Sequence, residues 1–299
     1  MAKRNCKKGY SCGASCISTR KACRKEFPDG ISLSLDERAV MLAYPISVKS
    51  PADKFMEDGK RFLEGIPGME EMDRKVSYAF DNLGYKEWKK LREQREEMVL
   101  KFLLQEGGSG NTQPPVKTEL PPSWYKIAYP NIRTMTDSEE DKALGAASSF
   151  TELLGGPGFV KKPIHFVHTD PRAWANTGFP PVINIGDNKP TTIFHELGHL
   201  WEDNNPTIRK AAVDFIDKRR FSEELRPLGA GYREDEVAYP GDFLHPYMGK
   251  YYEDGSTEVI SMGIQHFASA TEMALLRKED PGMYNMMIGL ILHQRKKGG

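Results

Sequence analysis

The run His195-Glu196-Leu197-Gly198-His199 sets two imidazoles and one carboxylate within a single stretch of chain. Four residues advance an α-helix by about one turn, so both histidines face the same way and supply half of a tetrahedral zinc site. Glu196 lies between them, close enough to polarise a metal-bound water as a general base without ligating the metal. Two histidines at this spacing would by themselves more often be a solvated or hydrogen-bonded pair. The acid in register, with a strand ahead of the helix, turns the reading toward a zinc hydrolase.

A catalytic zinc of this kind needs a third protein ligand and an open position for water. A histidine six residues after His199 would be the simplest answer, but that position is Asn205. Most acids further on stand in crowded polar company, as in Glu223-Glu224, Glu234-Asp235-Glu236, Glu253-Asp254 and Glu279-Asp280, and are expected on the solvated surface. Glu258 differs, because it opens the apolar run Val259-Ile260-Ser261-Met262-Gly263-Ile264, with Ser256 or Thr257 available as a cap. A carboxylate in such a segment needs a cation or hydrogen bonds to offset its burial. Glu272, between Thr271 and Met273, has a similar setting and is the rival ligand.

His195, His199 and Glu258 together resemble the gluzincin arrangement, in which a glutamate from a second helix completes the zinc site. The phrase Gly249-Lys250-Tyr251-Tyr252, then Gly255, then Thr257-Glu258-Val259-Ile260-Ser261-Met262-Gly263 is similar to zincin-like domains attached to phage head-morphogenesis and polymorphic-toxin proteins; the likeness spans about Pro163 to Ala270. The resemblance implies a metallopeptidase fold with His195, His199 and Glu258 as zinc ligands and Glu196 as base. It also implies a phage-associated or toxin-like protein that cleaves a protein or peptide and sits in a host cytoplasm or a virion. One position departs from the pattern. Thermolysin-like gluzincins place an Asp four residues after the ligand Glu to orient the first histidine, and here Met262 stands there, so Ser261 or Glu202 is expected to substitute.

Peptide hydrolysis would also need a donor for the developing oxyanion. Tyr252, a few residues before Glu258, is the first candidate, with His245, Tyr247 and Tyr251 behind it. His165 and His168 cannot share a strand face, because their separation is odd. His266 and His293 read as core and tail residues. Arg172, Trp174 and Asn176 precede a predicted edge strand and are candidates for lining a substrate pocket.

The elements that must hold these residues follow from periodicity. Asp137–Leu154 reads as a helix capped by Asp137 or Ser138, and Ile164–His168 alternates as a strand. Pro181–Ile185 reads as a second short strand, exposed at the sheet edge, that feeds the metal helix. Such an edge could bind an extended peptide as an added strand. Within the metal helix Ile193, Leu197, Leu200 and Trp201 form the packing face, while His195, His199 and Glu202 form another stripe. A further helix is expected around Pro206 to Arg220.

The predicted architecture is α+β and mostly helical, with a small sheet. It divides into a Cys-rich basic segment over 1–30, a helical module over 31–105, a linker over 106–123 and a zincin-like domain over 124–299. In the helical module Pro51 suits a first turn and Glu87–Leu104 is an amphipathic helix. The linker rests on the Gly- and Pro-rich stretch from Glu106 to Pro115, which disfavours both helix and interior strand, and self-cleavage there is one conceivable outcome.

All four cysteines, Cys6, Cys12, Cys16 and Cys23, fall in the first segment, where they could close a second zinc site or form two disulfides. Lysines and arginines around them make a local basic patch that could touch nucleic acid. The 299 residues are 39% hydrophobic and 28% charged with zero formal net charge, so the composition gives no global pull toward nucleic acid or anionic lipid. The opening residues lack the apolar stretch of a secretory signal, and no segment has the length of a membrane span. The competing reading is a non-catalytic virion, scaffold or nucleic-acid-binding protein whose zinc is structural or vestigial.

Overall fold

The computed structural model describes residues 10–12, 15–17, 49–106, 120, 123–127 and 135–298. The chain divides into two units, Met1–Val48 and Lys49–Gly299. In the first, β1 (Tyr10–Cys12) and β2 (Ser15–Ile17) form an antiparallel hairpin pairing Ser11 with Cys16. Cys6 and Cys23 lie outside the described residues, as do the side chains of Cys12 and Cys16. The expected metal or disulfide cluster and its basic patch therefore fall outside them too, and so does most of the 106–123 stretch.

The second unit begins with three helices. In α1 (Pro51–Gly65), Pro51 stands in the first turn and the Ser50 hydroxyl accepts from the Asp53 N–H, so both start signals act at the expected place. Ala52, Phe55, Gly59 and Leu63 form its buried stripe. α2 (Met69–Asn82) and α3 (Tyr85–Gln105) follow as a helical hairpin. Beyond the Gly- and Pro-rich stretch, α4 (Asp137–Leu153) opens on a capping box. Thr136 is the N-cap, one residue before the expected position, because Glu139 reaches back to its backbone N–H.

A four-stranded sheet in the order β3-β4-β6-β5 comprises β3 (Tyr125–Ile127), β4 (Ile164–Val167), β5 (Trp174–Asn176) and β6 (Val182–Asn184). β3, β4 and β6 run parallel, and β5 is antiparallel to β6. The expected edge is thus corrected. The strand that feeds the metal helix is interior, and the edge beside it is β5, which carries Trp174 and Asn176 themselves. Paired on both sides, β6 has no free backbone ladder to offer a peptide.

The chain then runs through α5 (Pro190–Asp203), α6 (Pro206–Arg219), a small hairpin of β7 (Arg226–Pro227) and β8 (Val237–Ala238), α7 (Val259–Ile264), the 3-10 turn Gln265–Ala268, α8 (Ala270–Glu279) and α9 (Pro281–Gly298). The molecule is α+β and mostly helical, with the small sheet expected.

One apolar core runs through the whole second unit, from Phe55 and Leu103 through Phe150, Phe166, Leu197 and Trp201 to Ile291. The helices before the Gly- and Pro-rich stretch and the elements after it therefore share a core. α1 lies directly on α9. A Cβ on Gly59 would stand 1.9 Å from the Asn285 carbonyl oxygen, and one on Gly289 would stand 2.1 Å from that of Phe55, so only glycine permits the contact. Buried Arg295 of α9 donates to Leu104 O (2.7 Å) and Glu106 O (2.5 Å) at the end of α3, and to Glu152 O (2.6 Å) and Leu153 O (3.0 Å) at the end of α4. One guanidinium so ties together the carbonyl ends of two helices. Among the described residues no helix is long and apolar enough to cross a membrane.

Candidate metal centre

α5 follows β6 through the turn at Gly186-Asp187 and begins at Pro190. Ile193, Leu197, Leu200 and Trp201 are completely buried, and the Trp201 indole N–H donates to Gln294 Oε1 of α9 at 3.1 Å. Packing on that side fixes the helix rotation and turns His195 and His199 to the opposite side. Their rings lie 5.0 Å apart at 78°.

Gly198, between them, has a second use. A Cβ there would fall 2.8 Å from both Ser261 Cα and Ile264 Cγ2, so its absence lets α7 lie against α5. The approach brings Glu258, at the start of α7, beneath the histidines. Glu258 Oε2 stands 3.2 Å from His195 Nε2 and 3.2 Å from His199 Nε2. A tetrahedral zinc with bonds of about 2.0–2.1 Å has ligand-to-ligand edges of about 3.3 Å, so both edges from Glu258 match coordination spacing, and all three ligand atoms lie within 4.8 Å of one another. These residues can hold a metal ion.

Each member is oriented by a neighbour. Gln265 Oε1 lies 3.0 Å from His195 Nδ1, and an amide oxygen can only accept, so Nδ1 carries the proton and Nε2 presents its lone pair to the centre. Glu258, 1% exposed, accepts from the Tyr252 hydroxyl on Oε1 and from the Ser261 hydroxyl (2.9 Å) on Oε2. Glu202, expected to face the first histidine, instead accepts from Thr257 N (3.0 Å) and Thr257 Oγ1 (2.9 Å). Thr257 Oγ1 in turn accepts from the Val259 N–H and caps α7. Neither Ser261 nor Glu202 replaces the missing Asp on His195; that place is taken by Gln265. It lies seven residues after Glu258, two helical turns along the same face, and this periodicity was the available signal.

Electrostatics follow the geometry. Burial opposes ionisation of Glu258, but the adjacent His199 and His195 hold it well below the usual carboxylate range. Burial likewise opposes the charge on His199, and Glu258 outweighs it, raising the imidazole to about 9. A metal bound there must displace that proton. Burial raises Glu196, which both histidines partly counter, and burial raises Glu202 to about 7 against the Thr257 hydrogen bonds. Burial and the Glu258 charge keep the phenols of Tyr252 and Tyr247 above their usual range, so both stay protonated donors.

The centre opens on a cleft of about 410 Å³. Glu196 lines it beside the histidines, and Arg172, Trp174, Tyr247 and Tyr252 line it as well. The remaining candidates lie elsewhere. Glu272 faces His266 at 3.2 Å and is outside the ligand group. His245 accepts from the Tyr247 N–H, Tyr251 packs edge-on against Tyr239, and Asn176 accepts from the Gly178 N–H. His168 faces Glu139 across 3.2 Å, His165 stays within β4, and His293 packs against the Phe55 ring.

The acidic run Glu234-Asp235-Glu236 does not lie wholly on the surface. Glu236 is 4% exposed, accepts from the buried Lys250 ammonium at 2.7 Å and meets Arg172 at 3.3 Å. Burial opposes its ionisation, but the Lys250 bond, the Arg233 N–H and the charges of Lys250 and Arg172 lower it to about 2. Charge runs alone do not separate such a residue from its solvated neighbours. In comparisons with known proteins, no family model, no curated protein and no solved structure matches this chain.

Proposed function

We propose that the chain is a zinc-dependent metalloendopeptidase of gluzincin type with a zincin-like fold, acting on a protein or peptide. The observation that carries this reading is the convergence of His195, His199 and Glu258, their ligand atoms within 4.8 Å of one another, with the buried Glu196 carboxyl beside them in an open cleft. A structural zinc is closed by four protein ligands and has no use for an adjacent acid or a cleft.

Zinc held there would supply a Lewis acid that polarises a peptide carbonyl and acidifies water. Glu196, made more basic by burial, takes the proton of the attacking water and delivers it to the leaving amine. Tyr252 is a positioning group through its bond to Glu258, and as the candidate donor for the oxyanion its single hydroxyl proton would swing from Glu258 to the developing charge. β5 offers its free edge to an extended peptide, with Trp174 beside the cleft. The proposed target, in line with the resemblance to domains of phage and toxin proteins, is a protein of a host or a virion.

Zinc content and casein cleavage should be measured on the wild type and on Glu196→Gln. One zinc per chain is expected in both, with cleavage lowered by about 100-fold or more in the variant. Equal cleavage by the two, or stoichiometric zinc without cleavage by either, overturns the proposal.

A further inference from the structure

At one corner of the metal cleft two cations, Arg172 and Lys250, meet the single carboxylate of Glu236, and the chain there is held in a rigid frame. Its base is Asn184, fully buried in β6. The Asn184 Oδ1 accepts from Thr169 N (2.7 Å), Thr169 Oγ1 (3.2 Å) and Asp170 N (3.3 Å), and its Nδ2 donates to Asp170 O and Arg172 O, both at 2.8 Å. Arg172 N donates to Asp170 Oδ1 at 2.7 Å. The backbone of Arg172 is thus held from both sides, and a half-satisfied buried amide would not be tolerated there.

The Arg172 side chain is 57% exposed and lines the cleft. Its one acidic partner among the described residues, Glu236, is already engaged by the Lys250 ammonium at 2.7 Å and by the Arg233 N–H at 2.8 Å. Two cations share one carboxylate, which leaves about one positive charge at this corner, and the five N–H donors of the guanidinium exceed the two partners it has there, Glu236 and Tyr247. Lys250 sits 4.7 Å from the Tyr252 ring centre, so the cationic corner adjoins the metal group. Arg172 also stands two residues before Trp174 of the edge strand. It occupies the bend that leads into β5, at one end of the edge to which a peptide strand would add.

We infer that Arg172 forms a subsite for a carboxylate of the peptide substrate, so that the cleft selects chains bearing an acidic group close to the bond to be cut. A planar guanidinium matches a carboxylate through two parallel hydrogen bonds, which supplies direction as well as charge. The inference rests on the peptidase reading, but its test does not require turnover.

Fluorescence anisotropy on full-length Glu196→Gln would use three labelled probes: acetyl-Ala-Ala-Glu-Ala-Ala-amide, the same peptide with Gln for Glu, and penta-alanine with a free carboxyl end. The Glu peptide is expected to bind at least about 10-fold more tightly than the Gln peptide. Preference for the free-ended alanine peptide would place the carboxylate at the chain terminus instead. Adding Arg172→Gln should abolish the discrimination, and Arg172→Lys, a milder change to the fold, should keep part of it. Equal binding of all three probes overturns the inference. So does Arg172→Gln slowing cleavage of Glu and Gln peptides equally in the active enzyme, since that marks a role in turnover. Discrimination in binding with no cleavage by the wild type would instead sink the peptidase reading and leave the anionic subsite standing.

Discussion

His195 gives one ring nitrogen to Gln265 and keeps the other for the centre, and the Gln265 amide decides which is which. Gln265→Leu preserves volume but removes the acceptor, leaving the ring free to turn. Zinc affinity is expected to fall by about 10- to 100-fold with the ligands intact, read by competition with a chromogenic chelator; an unchanged affinity would show that packing alone orients the ring. Glu236 makes a second prediction at this scale. Its carboxyl is lowered to about 2 from a usual 4.5, so its stabilisation is complete above about pH 4.5 and is lost as pH falls toward 2. Glu236→Gln leaves the buried Lys250 ammonium unpaired and should cost about 3 kcal/mol at neutral pH, with a shallower loss between pH 4.5 and 2. Parallel acid unfolding curves for the two proteins would contradict this.

Among the elements, the meeting of α5 and α7 decides whether there is a site at all. The first brings two histidines and the second brings Glu258, and they approach through the space that Gly198 leaves empty. Gly198→Ala gains about 1 kcal/mol of helix propensity, yet its methyl collides with Ser261 Cα, which is backbone and cannot rotate away. The collision forces the helices apart. A net loss of about 1–3 kcal/mol in stability is expected, together with weaker zinc binding, measured by thermal melting and metal titration. A more stable protein with unchanged zinc affinity would refute the account of the contact.

Over the whole molecule, the centre depends on helices that stand far before it in the chain. α9 supports α5 through Gln294, lies against α1 at Gly59 and Gly289, and ties the ends of α3 and α4 through Arg295. Buried Arg95 of α3 reaches Tyr284 of α9 at 3.0 Å. Residues 124–299 alone would expose the apolar face of α9 and take from Arg295 its partners Leu104 O and Glu106 O. That fragment is expected to lack a cooperative thermal transition and to be digested rapidly by trypsin, whereas 49–299 should melt cooperatively. A cooperative transition for 124–299 would mean that the later elements suffice for a core.

The sequence by itself determined the local features. His195 and His199 share a face because helical geometry requires it, Pro51 starts α1, and Glu258 stood out because a lone acid in an apolar run needs partners. The helices at Glu87, Asp137, Pro190 and Pro206 and the strands at Ile164 and Val182 followed from period and punctuation, with errors of one or two residues at their ends, whereas the three-residue strands β3 and β5 are too short to show a period. Only the tertiary structure decided the rest. Whether Glu258 or Glu272 faced the histidines depended on which helix passed Gly198, and β5 became the edge because of sheet order. Glu236 was buried because Lys250 and Arg172 converge on it, and the helices before the Gly- and Pro-rich stretch joined the core through α9. Each of these is a contact between residues distant in the chain, set by how faces pack and polar groups find partners, and such contacts leave no periodic trace in the sequence.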